Sequence, residues 1–153
     1  MAIDVLMKRD SDGFFDIDWD ENGDLVTTNG LESALDISIL GEVRANEAEI
    51  IVPQRRRGWW GSAVLGYEQG SKLWLLSQDR KTEENRLLSE EYASKALQWM
   101  IDDKIAREIT VNSEFTSNGI LIKITLIAQD NSVVSRYYEM WKYTNAEHTS
   151  ENK

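Results

Sequence analysis

The chain has no cysteine, which removes disulfides, thiolate metal ligands and cysteine nucleophiles together. Histidine is almost as scarce. His148, the one instance, lies in the polar segment "TNAEHTSENK", so Ser-His and Cys-His mechanisms lack a base and a zinc site would depend on carboxylates alone. No apolar run approaches the roughly 18 residues a membrane span needs, and the start shows no basic-then-apolar signal segment. The expectation is a chain that neither crosses a membrane nor leaves through a Sec signal. A surplus of positive charge is also missing. Asp and Glu number 27 against 17 Lys and Arg, for a formal net charge of −10. That sign argues against general nucleic-acid binding, which needs a basic field to neutralise phosphates.

What is present suffices for one domain. The 153 residues are 41% hydrophobic, above the range of disordered chains. We expect one domain over 1–143 and a flexible polar tail over 144–153. Proline occurs once, at Pro53, and holds extended backbone just ahead of the oddest stretch, "VPQRRRGWWG".

Periodicity divides the chain. "DGFFDIDWDENGDLVTTNG" alternates, with Phe15, Ile17 and Trp19 on one face and Asn22-Gly23 as a hairpin turn, which predicts strands at about 14–19 and 24–28. Asn29 reads as a helix N-cap with Glu32 three residues on. Leu31, Ala34, Leu35, Ser38 and Ile39 then follow at helical spacing over about 31–43. From 44 to 70 periodicity is lost and glycines punctuate a structured loop. A short helix is expected after Ser71. A longer one is expected over about 83–103, capped by Thr82, with Leu88, Tyr92, Ala96, Trp99 and Met100 as its stripe and Ala93, Leu97 and Ile101 broadening it.

The last third changes to period 2. Ile109, Val111 and Phe115, then Ile120, Ile122, Ile124 and Leu126, then "VVSRYYEMW" read as an antiparallel meander. The fold class is α+β: a mainly antiparallel sheet, made of an N-terminal hairpin and a C-terminal three-stranded meander, flanked by two to three helices.

Three candidate sites stand out. Asp18, Asp20, Asn22, Gly23 and Asp24 begin like a calcium loop, but its twelfth position is Asn29 and no helix precedes it, so an acidic hairpin explains them as well. Glu47, Glu49, Glu90 and Glu91 supply carboxylates for glycoside hydrolysis, which needs one acid raised in pKa inside an apolar cleft. Nothing in their spacing marks any of the four. The third is Arg55, Arg56, Arg57, Trp59 and Trp60. Adjacent indoles diverge, so one should pack inward while the other is exposed or covered by an arginine. Trp and Arg are the residues enriched at interface hot spots, and a loop plug with solvated arginines is the alternative.

The order "DLVTTNGLESAL", "RRGWWG", "GSKLWLL", "YASKALQWMIDD" and then an alternating meander resembles the Mu-like phage baseplate protein family over about residues 14–142. That family is similar to the small wedge protein, or sheath initiator, of T-even phages, long described as a lysozyme. The resemblance implies a non-enzymatic structural protein of a contractile-tail baseplate, without cofactor or metal. It would bind larger wedge subunits and the central hub and template the first tail-sheath ring by strand addition, with six-fold symmetry in the virion after assembly in host cytoplasm. It implies no nucleic-acid or membrane partner. The T-even relatives carry Glu-Pro-Arg before the meander. Here "IDDKIAREI" has neither Glu nor Pro in place, and Arg107 is the counterpart. Partner contact is thus expected at Arg55, Arg56, Arg57, Trp59, Trp60 and Arg107. The rival implied by the older description is a peptidoglycan hydrolase.

Overall fold

The computed structural model describes residues 4–9, 15–28, 30–50, 56–77 and 80–140. The expected tail at 144–153 and Pro53 lie outside them. Four short strands come first: β1 (Asp4–Val5), β2 (Met7–Arg9), β3 (Phe15–Ile17) and β4 (Thr27–Thr28). β1 pairs antiparallel with β4, and β2 with β3. The expected hairpin is present but its ladder is shorter than predicted, closed by the Trp19–Leu25 bridge and the Asp20 N–H to Asp24 carbonyl bond of 2.9 Å. The N-terminal segment that pairs with both of its arms is too short to show alternation.

Helix α1 (Leu31–Leu40) buries Leu35, Ser38 and Ile39, as its spacing predicts. Its cap differs. Gly30, in left-handed backbone, occupies the N-cap position without a side-chain bond, and Asn29 lies outside the described residues. Glu32 pairs at 2.8 Å with Arg136, and its expected bond to Asn29 lies outside the described residues. The helix stops at Leu40, short of the predicted 43, because Gly41 turns to extended backbone. Two single-turn helices follow, α2 (Ser62–Leu65) and α3 (Leu73–Leu76), then α4 (Glu83–Asp102). The described residues thus form four α-helices, α2 being the one that periodicity does not reveal. The Thr82 side chain caps α4 by accepting from the Asn85 N–H at 3.2 Å.

Strands β5 (Ala106–Phe115), β6 (Ile120–Ala128) and β7 (Val133–Met140) form the antiparallel meander in the order β5-β6-β7. Ile120, Ile122, Ile124 and Leu126 of the central strand are fully buried. Burying four such side chains contributes on the order of 6–12 kcal/mol before entropy is subtracted. α4 covers this face through Ala93, Leu97 and Met100, joined by Leu35 and Ile39 from α1 and by Leu73 and Leu76 from α3. The contact line of α4 is rotated from the predicted stripe. Ser89 and Ala93 let the helix come close to the sheet, the larger Leu88 and Tyr92 pack at its sides, and Trp99 is 40% exposed, donating to Ser38 Oγ at 3.1 Å. β7 is joined to α1 by polar contacts. Tyr138 donates to the buried Asp36 at 2.6 Å, and burial followed by that carboxylate pushes the phenol far above its ordinary range.

The chain leaves α1 at Gly41 and comes back to it at Gly70. The two backbones touch: a Cβ on Gly70, at φ +114°, would lie 2.3 Å from the Gly41 carbonyl carbon. Ser71 N–H to Gly41 carbonyl (2.8 Å), Val43 N–H to Ser71 carbonyl (3.0 Å) and Ser71 Oγ–H to Ile39 carbonyl (2.7 Å) fasten the crossing. Replacing Gly70 by Ala is expected to destabilise the fold by more than about 2 kcal/mol in urea denaturation, through steric overlap and backbone strain together. Gly66→Ala, at φ +75° with nothing within 4 Å, should cost only about 1 kcal/mol. Equal costs at the two positions would contradict this account of the crossing.

Candidate functional site

The chain between the two glycines makes one excursion, described over 42–50 and 56–69, which includes Arg56, Arg57, Trp59 and Trp60. Its interior is fixed by polar bonds more than by burial. Glu47–Glu49 makes a 3-10 turn in which the Glu49 carboxylate accepts from the Asn46 N–H at 2.7 Å. The same carboxylate pairs with Lys72 at 2.8 Å, tying the turn to α3. Ala45 is completely buried and is held from both sides by Arg56: its N–H donates to the Arg56 carbonyl at 2.9 Å, and its carbonyl accepts Arg56 Nε at 2.7 Å.

Arg57 adopts left-handed backbone (φ 50°), pairs with Glu42, and stacks its guanidinium 4.8 Å from the centre of the Trp74 ring. Trp74 Nε1 donates to the Val43 carbonyl at 2.8 Å, so this contact joins both arms of the excursion to α3. The expected arginine–indole contact thus exists, with a different indole from the one the sequence suggested.

The adjacent indoles do diverge, at 5.8 Å between centroids and 48° between planes. Trp59 lies across Gly61, where a Cβ would be 2.3 Å from the ring, and it remains 38% exposed, so it does not enter the core as expected. Trp60 is 79% exposed. Of the other expected partner residues, Arg55 falls outside the described residues. Arg107 is on β5, where it donates to Asn131 of the β6–β7 turn at 2.6 Å, and it lines neither of the excursion's cavities.

The structure adds residues that spacing did not identify. α2 buries none of its four residues: Val64 is 75% and Leu65 53% exposed, with Tyr67 also open beyond it. Two cavities open on this side. One, of about 400 Å³, lies between Trp59 and the Ile37–Leu40 flank of α1. The other, of about 430 Å³, is walled by Arg44, Trp59, Trp60 and Tyr67. The only available signal was the short apolar "SAVL" between Gly61 and Gly66.

The carboxylates are engaged elsewhere. Glu47 pairs with Arg56 at 3.6 Å, Glu90 with Arg86 at 2.9 Å and Glu91 with Lys95 at 2.7 Å. The Lys72 ammonium, and then the Asn46 N–H, hold Glu49 below its ordinary pKa, opposite to what a general acid requires. In the acidic hairpin, Asp20 accepts from the Asn22 and Asp24 N–H groups at 2.8 and 2.9 Å, and these bonds hold its carboxyl low. Among the described residues no group of three or more carboxylates and histidines is arranged to hold a metal ion.

The sequence profile of the family described as "Phage protein GP46" matches residues 31–133. The chain belongs to that family. Two GP46 relatives are "Mu-like prophage FluMu protein gp46" of Haemophilus influenzae and "Baseplate protein gp46" of Escherichia phage Mu. The first is 32% identical over 116 residues, covering 74% of this chain and 80% of the relative. The second is 32% identical over 114 residues, covering 72% and 79%. The family resemblance read from the motifs is therefore correct. The GP46 match spans α1, the whole excursion, α4, β5 and β6, and begins after the N-terminal strands.

The Glu49–Lys72 pair fixes the pH behaviour of the site. A carboxylate held low in the fold contributes stability that is complete above its unfolded pKa, near 4.5, and is lost as pH falls through the lower folded value. Glu49→Gln should therefore reduce urea-measured stability at pH 7 and flatten its decline below pH 4.5. A variant whose decline matches the parent chain would contradict this.

Proposed function

We propose that this chain is a structural protein of a phage tail baseplate, located in the virion tail and working without catalysis. The baseplate assignment of the Mu relative, with 32% identity over most of both chains, supports the baseplate role. In the finer reading it binds larger wedge subunits, meets the hub, and templates the first sheath ring by accepting a strand. Arg55, Arg56, Arg57, Trp59, Trp60 and Arg107 belong to the partner-facing set. Within it Arg56 and Arg57 shape the excursion, and Trp60 offers contact area.

One observation carries the strand-addition reading: the two margins of the meander differ. At β5, Glu90 of α4 accepts from the Ser113 N–H at 2.8 Å and Arg86 donates to the Ser113 carbonyl at 3.0 Å, so helix side chains already occupy that backbone. Among the described residues β7 pairs only with β6. An unpaired margin of eight residues provides the N–H and C=O groups that an incoming strand satisfies. β7 is the margin we assign to the sheath strand.

Hydrogen exchange compares the free chain with the assembled tail. Amides of Val133–Met140 should gain protection on assembly by about tenfold or more, with Ser113 unchanged. Protection gained at β5 alone would reverse the assignment. Clearance of a bacterial-wall suspension by the purified chain, abolished by one Glu→Gln change, would instead establish the hydrolase.

A further inference from the structure

Arg44 distinguishes the second cavity of the excursion. Arg56 and Arg57 both have carboxylate partners, Glu47 and Glu42. Arg44 is exposed, lines the 430 Å³ cavity, and has no carboxylate within ion-pair distance among the described residues. Glu68 lines the same cavity without pairing to it. The charged groups on this lining are thus Arg44, the already neutralised Arg57 and Glu68, on a molecule of formal charge −10. Beside Ser62 and two glycines, the rest of the wall is apolar: Trp59 lying across Gly61, Trp60, Ala63 and Tyr67. A cavity of this size takes one or two side chains. Exposing Trp60, Val64 and Leu65 has no benefit to the free chain, since apolar surface prefers to leave water.

We propose that this cavity receives a segment of a neighbouring baseplate protein that lays an apolar side chain against Trp60 and Tyr67 and places a carboxylate on Arg44. The proposal rests on the baseplate reading, because it requires a protein neighbour. The chemistry of the occupant follows from the lining. Aromatic walls select an apolar or aromatic anchor. An arginine fork with no ion-pair partner among the described residues selects a planar carboxylate, from an acidic side chain or a chain terminus. Phosphate is disfavoured, because one unpaired arginine beside Glu68 offers too little positive charge for a dianion. The partner is also what makes Arg44 useful: a lone exposed cation contributes almost nothing to folding, whereas a desolvated pair at an interface sets register and orientation.

The test places a photocrosslinker at position 60 (Trp60→p-benzoylphenylalanine) in full-length chain assembled into tail particles, with Tyr137→p-benzoylphenylalanine on the sheet as control. The expected product joins position 60 to one other baseplate protein, at a peptide with an apolar residue next to Asp, Glu or a C-terminal carboxylate. Adding Arg44→Glu or Arg44→Ala should lower the yield about tenfold, the scale of one charge-assisted hydrogen bond, while Arg44→Lys retains most of it. Circular dichroism should show all three folded, since Arg44 is exposed and has no ion pair to lose among the described residues. Crosslinking to a second copy of this chain, a peptide without a nearby carboxylate, or a yield indifferent to Arg44→Glu would each overturn the inference. So would particles that contain the chain yet give no product at position 60, an outcome that leaves the baseplate reading intact. Particles formed without the chain at all would remove the baseplate reading and the inference with it.

Discussion

The contact of Gly70 with Gly41 is the constraint from which the rest of the binding surface follows. Two backbones meet where neither position has room for a Cβ, and Ser71 locks the crossing to the end of α1. Because both ends of the 42–69 excursion are held there, its interior can do with little core. Arg57 between Glu42 and Trp74, Arg56 on Ala45, and Glu49 on Lys72 each connect the excursion to itself or to α3. Individually such partly exposed contacts are weak, about 1 kcal/mol or less. On a closed loop they act together, since the entropy of closure has already been met by the crossing. The result is a surface on which Trp60, Val64, Leu65 and Tyr67 are exposed.

This arrangement answers why a basic, aromatic knot exists in an acidic molecule. The described arginines of the knot, Arg56 and Arg57, are paired with Glu47 and Glu42 and act as braces. Arg44, outside the motif, lines the cavity and has no ion pair among the described residues. The formal net charge of −10 sets like-charged copies against one another, which offsets the exposure of Trp60, Val64 and Leu65. The meander has a comparable asymmetry: α4 side chains bond the Ser113 backbone on one margin, and among the described residues no strand pairs with the outer side of β7. Both features suit a component that must meet several neighbours in fixed orientations.

The parts of the fold that were legible in the sequence are those set by local chemistry. The alternation Ile120, Ile122, Ile124, Leu126 specified a buried central strand because a pleated strand puts alternate side chains on one face. Thr82 marked the start of α4 because a helix needs an acceptor for its first free N–H groups. The failures have a common cause: partners distant in sequence. Ser89 and Ala93 form the contact line of α4 because the sheet requires a close approach, which helical period alone does not reveal. Glu32 was read only as a local capping residue, yet it also pairs with Arg136 on the distant strand β7. For the site, the motif containing Trp59, Trp60 and Arg57 was visible, but its braces Glu42 and Trp74 and the open Arg44 become apparent only when the excursion closes. Arg107, read by analogy, is tied to Asn131 on the meander and is not brought to the knot.

The central claim is that this polypeptide acts by presenting two prepared surfaces, the Trp60–Arg44 cavity and the β7 margin, to other proteins. A structure of the assembled tail particle tests it most directly. The account predicts Trp60 and Arg44 covered by a neighbouring chain and a foreign strand hydrogen-bonded along Val133–Met140. A particle in which the chain is ordered while Trp60, Arg44 and the β7 margin all face solvent would contradict it.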